Sequence, residues 1–511
     1  MQKIHHKIIL TLVFVFAAFW SCKQGFLDKV NPNQLSVDSF FKTEDDALAS
    51  VNSAYGASQR LELWGRKYFF LFDLLSDDIK GNDPLFADGQ TLAAYSFNAG
   101  SETVTDIYKG CYRGIERANY TIANLNTLKD STTAKVLRIK GEAKFLRSLY
   151  YFDLVANYGA VPLRTKVNGS ANDLTPMDRT PASQVWAFIE KDLTDAEGLL
   201  PDSYDGADLG RATKWSAKAL LGKAYLYQKK YPQAAAKFKE IIDYSVANPT
   251  KLGLMKNYRD NFVEVSDADG SYVEFNKESL FEISFAGADR TGGFNTWGQD
   301  GSNAPGEGTF RAIEYGFTIF GNTSPSLDIV NAYPDTDPRK RMNMFGPGST
   351  YYPGKVATPY SRSDWQHKKY SNLGSANGTG DDVQNYQGSS INMRVIRYAD
   401  VLLMYAEALN APASGNGTAF DPAAVLAIDQ VRARVSLPGC GASDPSSLFS
   451  AIVNERRYEL WCEQVRRKDL VRWGIAKTVL GSKFVVGKHE LLPIPQTELD
   501  LTSGMKQNPG Y

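Results

Sequence analysis

Histidine is scarce: the 511-residue chain has four, two of them, His5 and His6, in the opening segment, and the others are His367 and His489. Triads built on an imidazole base and metal sites built from several imidazoles therefore have little to draw on. The phosphate-cradling and nucleophile motifs G-x-x-x-x-G-K-[ST], G-x-G-x-x-G and G-x-S-x-G are missing too. Cysteine is sparse. Besides Cys22 there are Cys111, Cys440 and Cys462, an odd remainder that cannot complete a disulfide framework. Neither sign of charge is in excess, with 57 Lys+Arg against 57 Asp+Glu interspersed along the chain, so the electrostatic footprint of a nucleic-acid binder is absent. No apolar run after residue 20 approaches the roughly 20 residues of a membrane-spanning helix. Asp267, Asp269 and Gly270 hint at a calcium loop, but Asp-Ala-Asp-Gly lacks the remaining ligands and reads as a turn. Among enzymes, these absences leave glycosidase chemistry open, since it needs only two carboxylates.

What is present begins at the amino terminus. Lys3, His5, His6 and Lys7 precede the apolar run Ile8–Trp20, which ends in Ser21-Cys22. That run is too short to span a bilayer and has the layout of a secretory signal. A small residue before cysteine resembles the lipobox of bacterial lipoproteins. The reading is a signal peptide over 1–21 and a mature chain from Cys22, acylated there and held to a membrane by its lipid, each buried methylene adding about 0.8 kcal/mol. The mature chain of 511 − 21 = 490 residues is long enough to bury a large core without disulfides.

Helical periodicity then dominates. TEDDALASVNSAYGASQ puts Ala47, Val51 and Ala54 on one face, with Thr43 and Asp46 as a capping box. The spacing predicts further helices over about 108–128 and 134–158, the latter stopped by Gly159 and Pro162, and one around Val185 to Ala196 closed by Pro201. Leu221, Gly222, Tyr225, Ala234, Phe238 and Ile241 have the spacing of a tetratricopeptide repeat, and a degenerate copy follows at Tyr405, Ala406, Leu409, Ala424, Ile428 and Val431. A single repeat cannot bury its own apolar face. Helix pairs over 134–200, 212–247, 397–436 and 446–480 are therefore expected to stack.

Between 251 and 390 the pattern turns to glycine, asparagine, serine, proline and aromatics, with one short strand expected over Glu278–Phe285. Irregular stretches of this length inside a compact domain are usually functional or disordered, and the aromatic content argues against simple disorder. The chain thus reads as one mainly α domain over 22–511. It has a helical half at 22–250, a loop-rich ligand-binding region at 251–390 and a second helical half at 391–511.

Sugar binders combine flat aromatic faces with planar hydrogen-bonding groups. Trp186, Trp215, Trp461 and Trp473 lie in helical segments and read as packing residues. Trp64, Trp297 and Trp365 sit in irregular context. The candidate site centres on Trp297, with Asn295, Gln299 and Asp300 as polar partners and Tyr315 or Trp64 as a second platform. Asp77 and Asp78 are candidates for bonding sugar hydroxyls, and Trp365 is a further platform. Arg456, Arg457, Arg466, Arg467 and Lys468 read as pairing with Glu455, Glu459, Glu463 and Asp469 between helices.

Six stretches come in a familiar order: CKQGFLD, GEAKFLRSLYYFDLVANYGAVPL from Gly141, GRATKWSAKALLGKAYLY from Gly210, VIRYADVLLMYAEALN from Val395, NERRYELWCEQVRRKDLVRWG from Asn454, and LLPIP followed by QNPGY. Together they resemble the SusD/RagB family across nearly the whole mature chain. The resemblance implies a tetratricopeptide-like scaffold with little β structure and a ligand site on irregular loops. It also implies a non-catalytic lipoprotein without cofactors on the outer face of the outer membrane, delivering oligosaccharides to a SusC-like TonB-dependent transporter. Lys23-Gln24-Gly25 lacks the acidic run that often marks surface lipoproteins, so a periplasm-facing anchor stays open. Three other readings stay open as well: a peptide- or glycopeptide-capturing member of the family, a surface glycosidase, and an assembly scaffold.

Overall fold

The computed structural model describes residues 41–83, 85–167, 177–266, 268–285, 308–315, 320–352, 355–356, 364–371, 389–411 and 416–511. Its helices of seven or more residues are α1 Glu44–Gln59, α2 Lys67–Leu74, α3 Ala87–Ala93, α4 Glu102–Leu125, α5 Ala134–Tyr158, α6 Ala182–Leu199, α7 Lys214–Tyr227, α8 Tyr231–Ala247, α9 Tyr398–Asn410, α10 Pro422–Arg434, α11 Pro445–Glu459 and α12 Arg466–Arg472. The strands are short: β1 Ile79–Gly81, β2 Ser279–Ile283, β3 Thr323–Pro325, β4 Met344–Phe345, β5 Thr350–Tyr352, β6 Lys355–Val356, β7 Gln366–His367 and β8 Met393–Arg397. They form antiparallel pairs β1–β3, β2–β8, β4–β7 and β5–β6.

Local chemistry sets the helix ends. The Asp46 amide donates to Thr43 Oγ1 at 3.2 Å while the Thr43 amide donates to Asp46 Oδ2 at 2.8 Å, the expected capping box of α1. Helix α5 spans the predicted 134–158 and stops at Gly159, whose φ of 72° a side chain would resist. Helix α4 starts six residues before the predicted 108, because Ser101 accepts from the Val104 amide and caps it there.

The helices stack as one array in which each touches the next: α1 on α4, α4 on α5, α5 on α6, α6 on α7, α7 on α8, α8 on α9, and α9 on both α10 and α11. In the first repeat Gly222 faces Phe238, and a Cβ there would come within 2.6 Å of the ring, so only glycine lets α7 and α8 approach this closely. Ala234 and Ile241 are fully buried beside them. Because α8 packs directly on α9, the two repeats are neighbours, and residues 251–390 are an insertion in the chain between adjacent helices. Strand β2, near its start, pairs with β8, near its end. The last predicted pair, over 446–480, is a single long helix followed by two short ones. After α11 the chain turns through Cys462 and Gln464, both in the left-handed region at φ of 63° and 60°. Gln464 Nε2 donates there to Asp73 Oδ2 at 3.0 Å, which holds the turn.

Charge is packed into the interior between insertion and scaffold. Arg339, Lys369, Arg397, Arg432 and Arg434 pair with Glu278, Asp337, Glu455, Glu459 and Glu463 in one connected network. Arg397 alone meets Glu278 at 2.6 Å, Glu459 at 2.9 Å and Glu463 at 2.7 Å while 1% exposed. Burial works against the ionised Glu459 carboxyl, but Arg434, Arg397 and Arg339 outweigh it and hold the group well below the usual carboxylate range. The expected pairing within the Arg456–Lys468 cluster holds only for Arg456 with Asp469. The other partners come from distant segments: Arg457 and Arg466 reach Asp77, Lys468 reaches Asp153, and Arg467 donates to the His489 carbonyl. The reason is that this stretch is buried against several elements instead of lying on one solvated helix surface.

Candidate functional site

The rim from which the insertion leaves and re-enters the scaffold is held by a few hydrogen bonds. Gln59 Nε2, at the end of α1, donates to the Ser284 carbonyl at 2.7 Å, and the Phe285 amide donates to Asn392 Oδ1 at 2.8 Å. On the return side the Phe310 amide donates to the Gly65 carbonyl at 2.9 Å, and Thr309 and Ser389 exchange backbone hydrogen bonds at 3.0 and 2.8 Å. The base of the Trp297-bearing segment and one end of the 372–388 segment therefore meet at one place, against the α1–α2 connection. Trp297, Asn295, Gln299, Asp300 and Cys22 lie outside the described residues.

Among the predicted platforms, Trp64 and Tyr315 need correction. Trp64 is 2% exposed and stacks on Tyr68 with ring centroids 4.5 Å apart. Tyr315 is 3% exposed, and its hydroxyl donates to Asp73 Oδ2 at 2.8 Å. Both rings belong to the core, Trp64 against Tyr68 and Tyr150, and Tyr315 against Phe69, Phe70 and His367. Neither offers a face to a ligand in this structure. Trp365 is half-buried, with Lys340 Nζ 5.4 Å and Arg341 Cζ 5.6 Å from the ring, and keeps part of its surface at the edge of the insertion. Sequence reasoning passed over Tyr272, which is 61% exposed. It pairs with Val265 across a turn, and Glu264 in the same turn accepts from Ser390 Oγ at 2.7 Å, which ties the turn that carries Tyr272 to the rim. The available signal was an aromatic directly after the Asp269-Gly270-Ser271 turn. In that turn Asp269 Oδ1 accepts from the Ser271 amide and hydroxyl, as a plain turn requires; Asp267 lies outside the described residues.

Asp77 and Asp78 are not available to sugar hydroxyls. Arg466 Nε donates to Asp77 Oδ1 at 2.8 Å, and Arg457 Nε donates to Asp78 Oδ1 at 2.7 Å. Burial, then the neighbouring Asp77 charge, push the Asp78 carboxyl up to about 6. Folding therefore favours the protonated form of this group. Its contribution to stability is full below about pH 4 and is lost as pH rises through 6. The stability difference between wild type and Asp78→Asn is expected to move against wild type between pH 4 and 7 in urea titrations. A difference that stays flat over that range would refute the assignment.

Among the described residues one cluster brings a thiol, an imidazole and a carboxylate together. Cys462 Sγ lies 3.7 Å from His367 Nδ1 and 3.6 Å from Asp73 Oδ2, superficially a triad. Burial, then Asp73, raise the thiol well above its ordinary value, while burial, then Arg311, lower His367 to about 3. A protonated thiol beside a neutral imidazole inside the core is a packing arrangement, not an activated nucleophile. Cys111, Cys440 and Cys462 are all free. Among the described residues no cluster of three or more metal-ligating side chains occurs, and no helix is long and apolar enough to cross a membrane.

A stack of helix pairs with a long segment inserted between two of them defines a helical-repeat protein. The chain belongs to the SusD/RagB family. Residues 277–489 match the SusD family, and residues 26–226 match a family described as "Starch-binding associating with outer membrane". A SusD-like protein P2 from Formosa agariphila is 28% identical over 508 residues, covering 93% of this chain and 94% of that one. A laminarin-binding SusD-like protein of solved structure is 30% identical with a TM-score of 0.75, covering 92% of this chain and 100% of that one. Surface glycan-binding protein A from Bacteroides thetaiotaomicron, solved with laminarihexaose, shares the fold at 22% identity with a TM-score of 0.73, covering 91% of this chain and 99% of that one.

Proposed function

We propose that the chain is a non-catalytic capture protein that binds oligosaccharides and passes them to a SusC-like TonB-dependent transporter. In this reading residues 1–21 are removed, Cys22 carries the lipid that anchors 22–511 to the outer membrane facing outward, and the 251–390 insertion holds the ligand. The observation that carries it is the 30% identity, over 92% of the chain, to a protein that binds laminarin. Outer-membrane association is supported by the family matched over 26–226. The rim adds a physical reason: residues on both sides of the Trp297 segment meet there, and the turn tied to it carries the exposed Tyr272, the kind of flat apolar surface on which a pyranose ring stacks.

Calorimetric titration with laminarihexaose, other oligosaccharides and peptides tests the reading. Binding of a sugar without its cleavage is the expected result. Binding of peptides alone, or appearance of cleaved sugar, would sink it in favour of a rival. Trp297→Ala and Tyr272→Ala are each expected to weaken sugar binding by about 1–2 kcal/mol and to leave the melting temperature nearly unchanged. If Trp297→Ala instead costs several kcal/mol of stability, as buried aromatics do, the ring is a packing residue and the site lies elsewhere.

A further inference from the structure

A cavity of about 280 Å³ lies on the scaffold, where the start of α7 and the end of α8 meet the chain entering β2. Trp215 stacks on Tyr244 in its wall, with ring centroids 3.9 Å apart. Two polar atoms of lining residues, Trp215 Nε1 and Tyr204 Oη, are buried and make no hydrogen bond among the described residues. Buried donors are seldom left unpaired without a reason, because their desolvation is not repaid. Phe275 lines the same cavity at φ 54°, a left-handed conformation unusual for an aromatic. Its amide is held by Glu282 Oε1 at 2.8 Å. Strained residues of this kind persist where surrounding structure imposes them, often at ligand sites. Opposite, Gly210 sits at φ 91°, and a Cβ there would lie 2.4 Å from the Phe275 ring, so the turn can pass only as glycine.

The neighbouring Leu209 is a large apolar side chain left 47% exposed. It forms a shared wall with a second cavity of about 190 Å³, which runs on to Gln59 and Ser284. Those two residues hold the base of the insertion at 2.7 Å. A groove therefore leads from the rim, past the Leu209–Arg211 turn, to Trp215.

We infer that this cavity is a second sugar-binding site, taking one pyranose unit of a neutral oligosaccharide where the scaffold meets the base of the insertion, separate from the Trp297 segment. Its volume is near the low end of small-molecule pockets, which start at about 300 Å³, and suits a single ring. An indole N–H, which only donates, and a phenol, which donates and accepts, match sugar hydroxyls. Of the three lining cations, Arg211 pairs with Glu142 and Lys277 donates to the Pro249 carbonyl, and Lys251 shares the lining with the carboxylates Asp202 and Glu282, so these walls do not call for an anion.

The inference rests on the reading that the chain binds oligosaccharides, and its test separates the two. Laminarihexaose is titrated into protein labelled with ¹⁵N at the indole nitrogens, with the Trp215 signal assigned from Trp215→Phe. That signal is expected to shift in wild type and to keep shifting in Trp297→Ala. Tyr204→Phe is expected to weaken the Trp215 response about three- to tenfold, the range of one lost hydrogen bond, with the melting temperature and rim binding unchanged. Heat of binding with a Trp215 signal that does not move overturns the second site and spares the rim. A Tyr204→Phe response equal to wild type also overturns it. Neither heat nor shift overturns both readings.

Discussion

Arg397→Ala is expected to lower the unfolding free energy by roughly 3–5 kcal/mol, the cost typical of removing one partner from a buried ionic cluster. The cation bonds Glu278 on the insertion and both Glu459 and Glu463 around the end of α11. Without it three carboxylates remain nearly out of reach of water, with Arg339, Lys369 and Arg434 to share between them. Arg397→Lys keeps the charge but not the fork of donors that reaches three acceptors at once, and should fall between wild type and alanine. The exposed pair Lys191–Asp195, at 2.8 Å on the surface of α6, provides the control: Lys191→Ala should change stability by less than about 0.5 kcal/mol. Equilibrium unfolding in urea, read by tryptophan fluorescence, decides. A cost for Arg397→Ala no larger than that of Lys191→Ala would mean that the network does not hold insertion and scaffold together.

Cys22→Ala is expected to move the protein from the membrane fraction to the soluble fraction almost completely. The argument is one of magnitude. Each buried methylene adds about 0.8 kcal/mol, and several acyl chains together hold a protein to a bilayer as no exposed apolar side chain can. Among the described residues no helix is long and apolar enough to replace that anchor. The fractionation is run after a salt wash in cells lacking the transporter, so that docking to the barrel does not mimic an anchor. If the variant stays with the membrane under those conditions, the lipidation reading fails, while family membership, which rests on the sequence and fold matches, stands.

Much of the scaffold was legible because its signals are local. The Thr43–Asp46 box, the stop at Gly159 and the Gly222–Phe238 contact each depend on residues within one or two helices. Periodicity placed α5 at its observed bounds. The break after Glu459 was not legible, since Cys462 and Gln464 enter the left-handed region beside Asp73, which lies 389 and 391 residues earlier in the chain. The site was read least well. Irregular context does not make Trp64 exposed, and Tyr315 is buried as well, because irregular chain can lie over a ring as easily as leave it open. Helical context predicts packing for Trp215, and the ring does stack on Tyr244, but it does not show that the indole nitrogen has no hydrogen-bond partner among the described residues.

By itself the sequence determined the helical repeats, the absence of a histidine-rich catalytic or metal apparatus, and the order of stretches that marks the family. Only the tertiary structure decided that α8 and α9 are neighbours, so that the insertion between them leaves and returns at one rim. It also decided which carboxylate each buried arginine meets and which aromatic rings face inward. The physical reason is range. Caps, turns and helical faces follow from interactions within a few residues, whereas burial and ion pairing follow from which distant segments come to exclude water together.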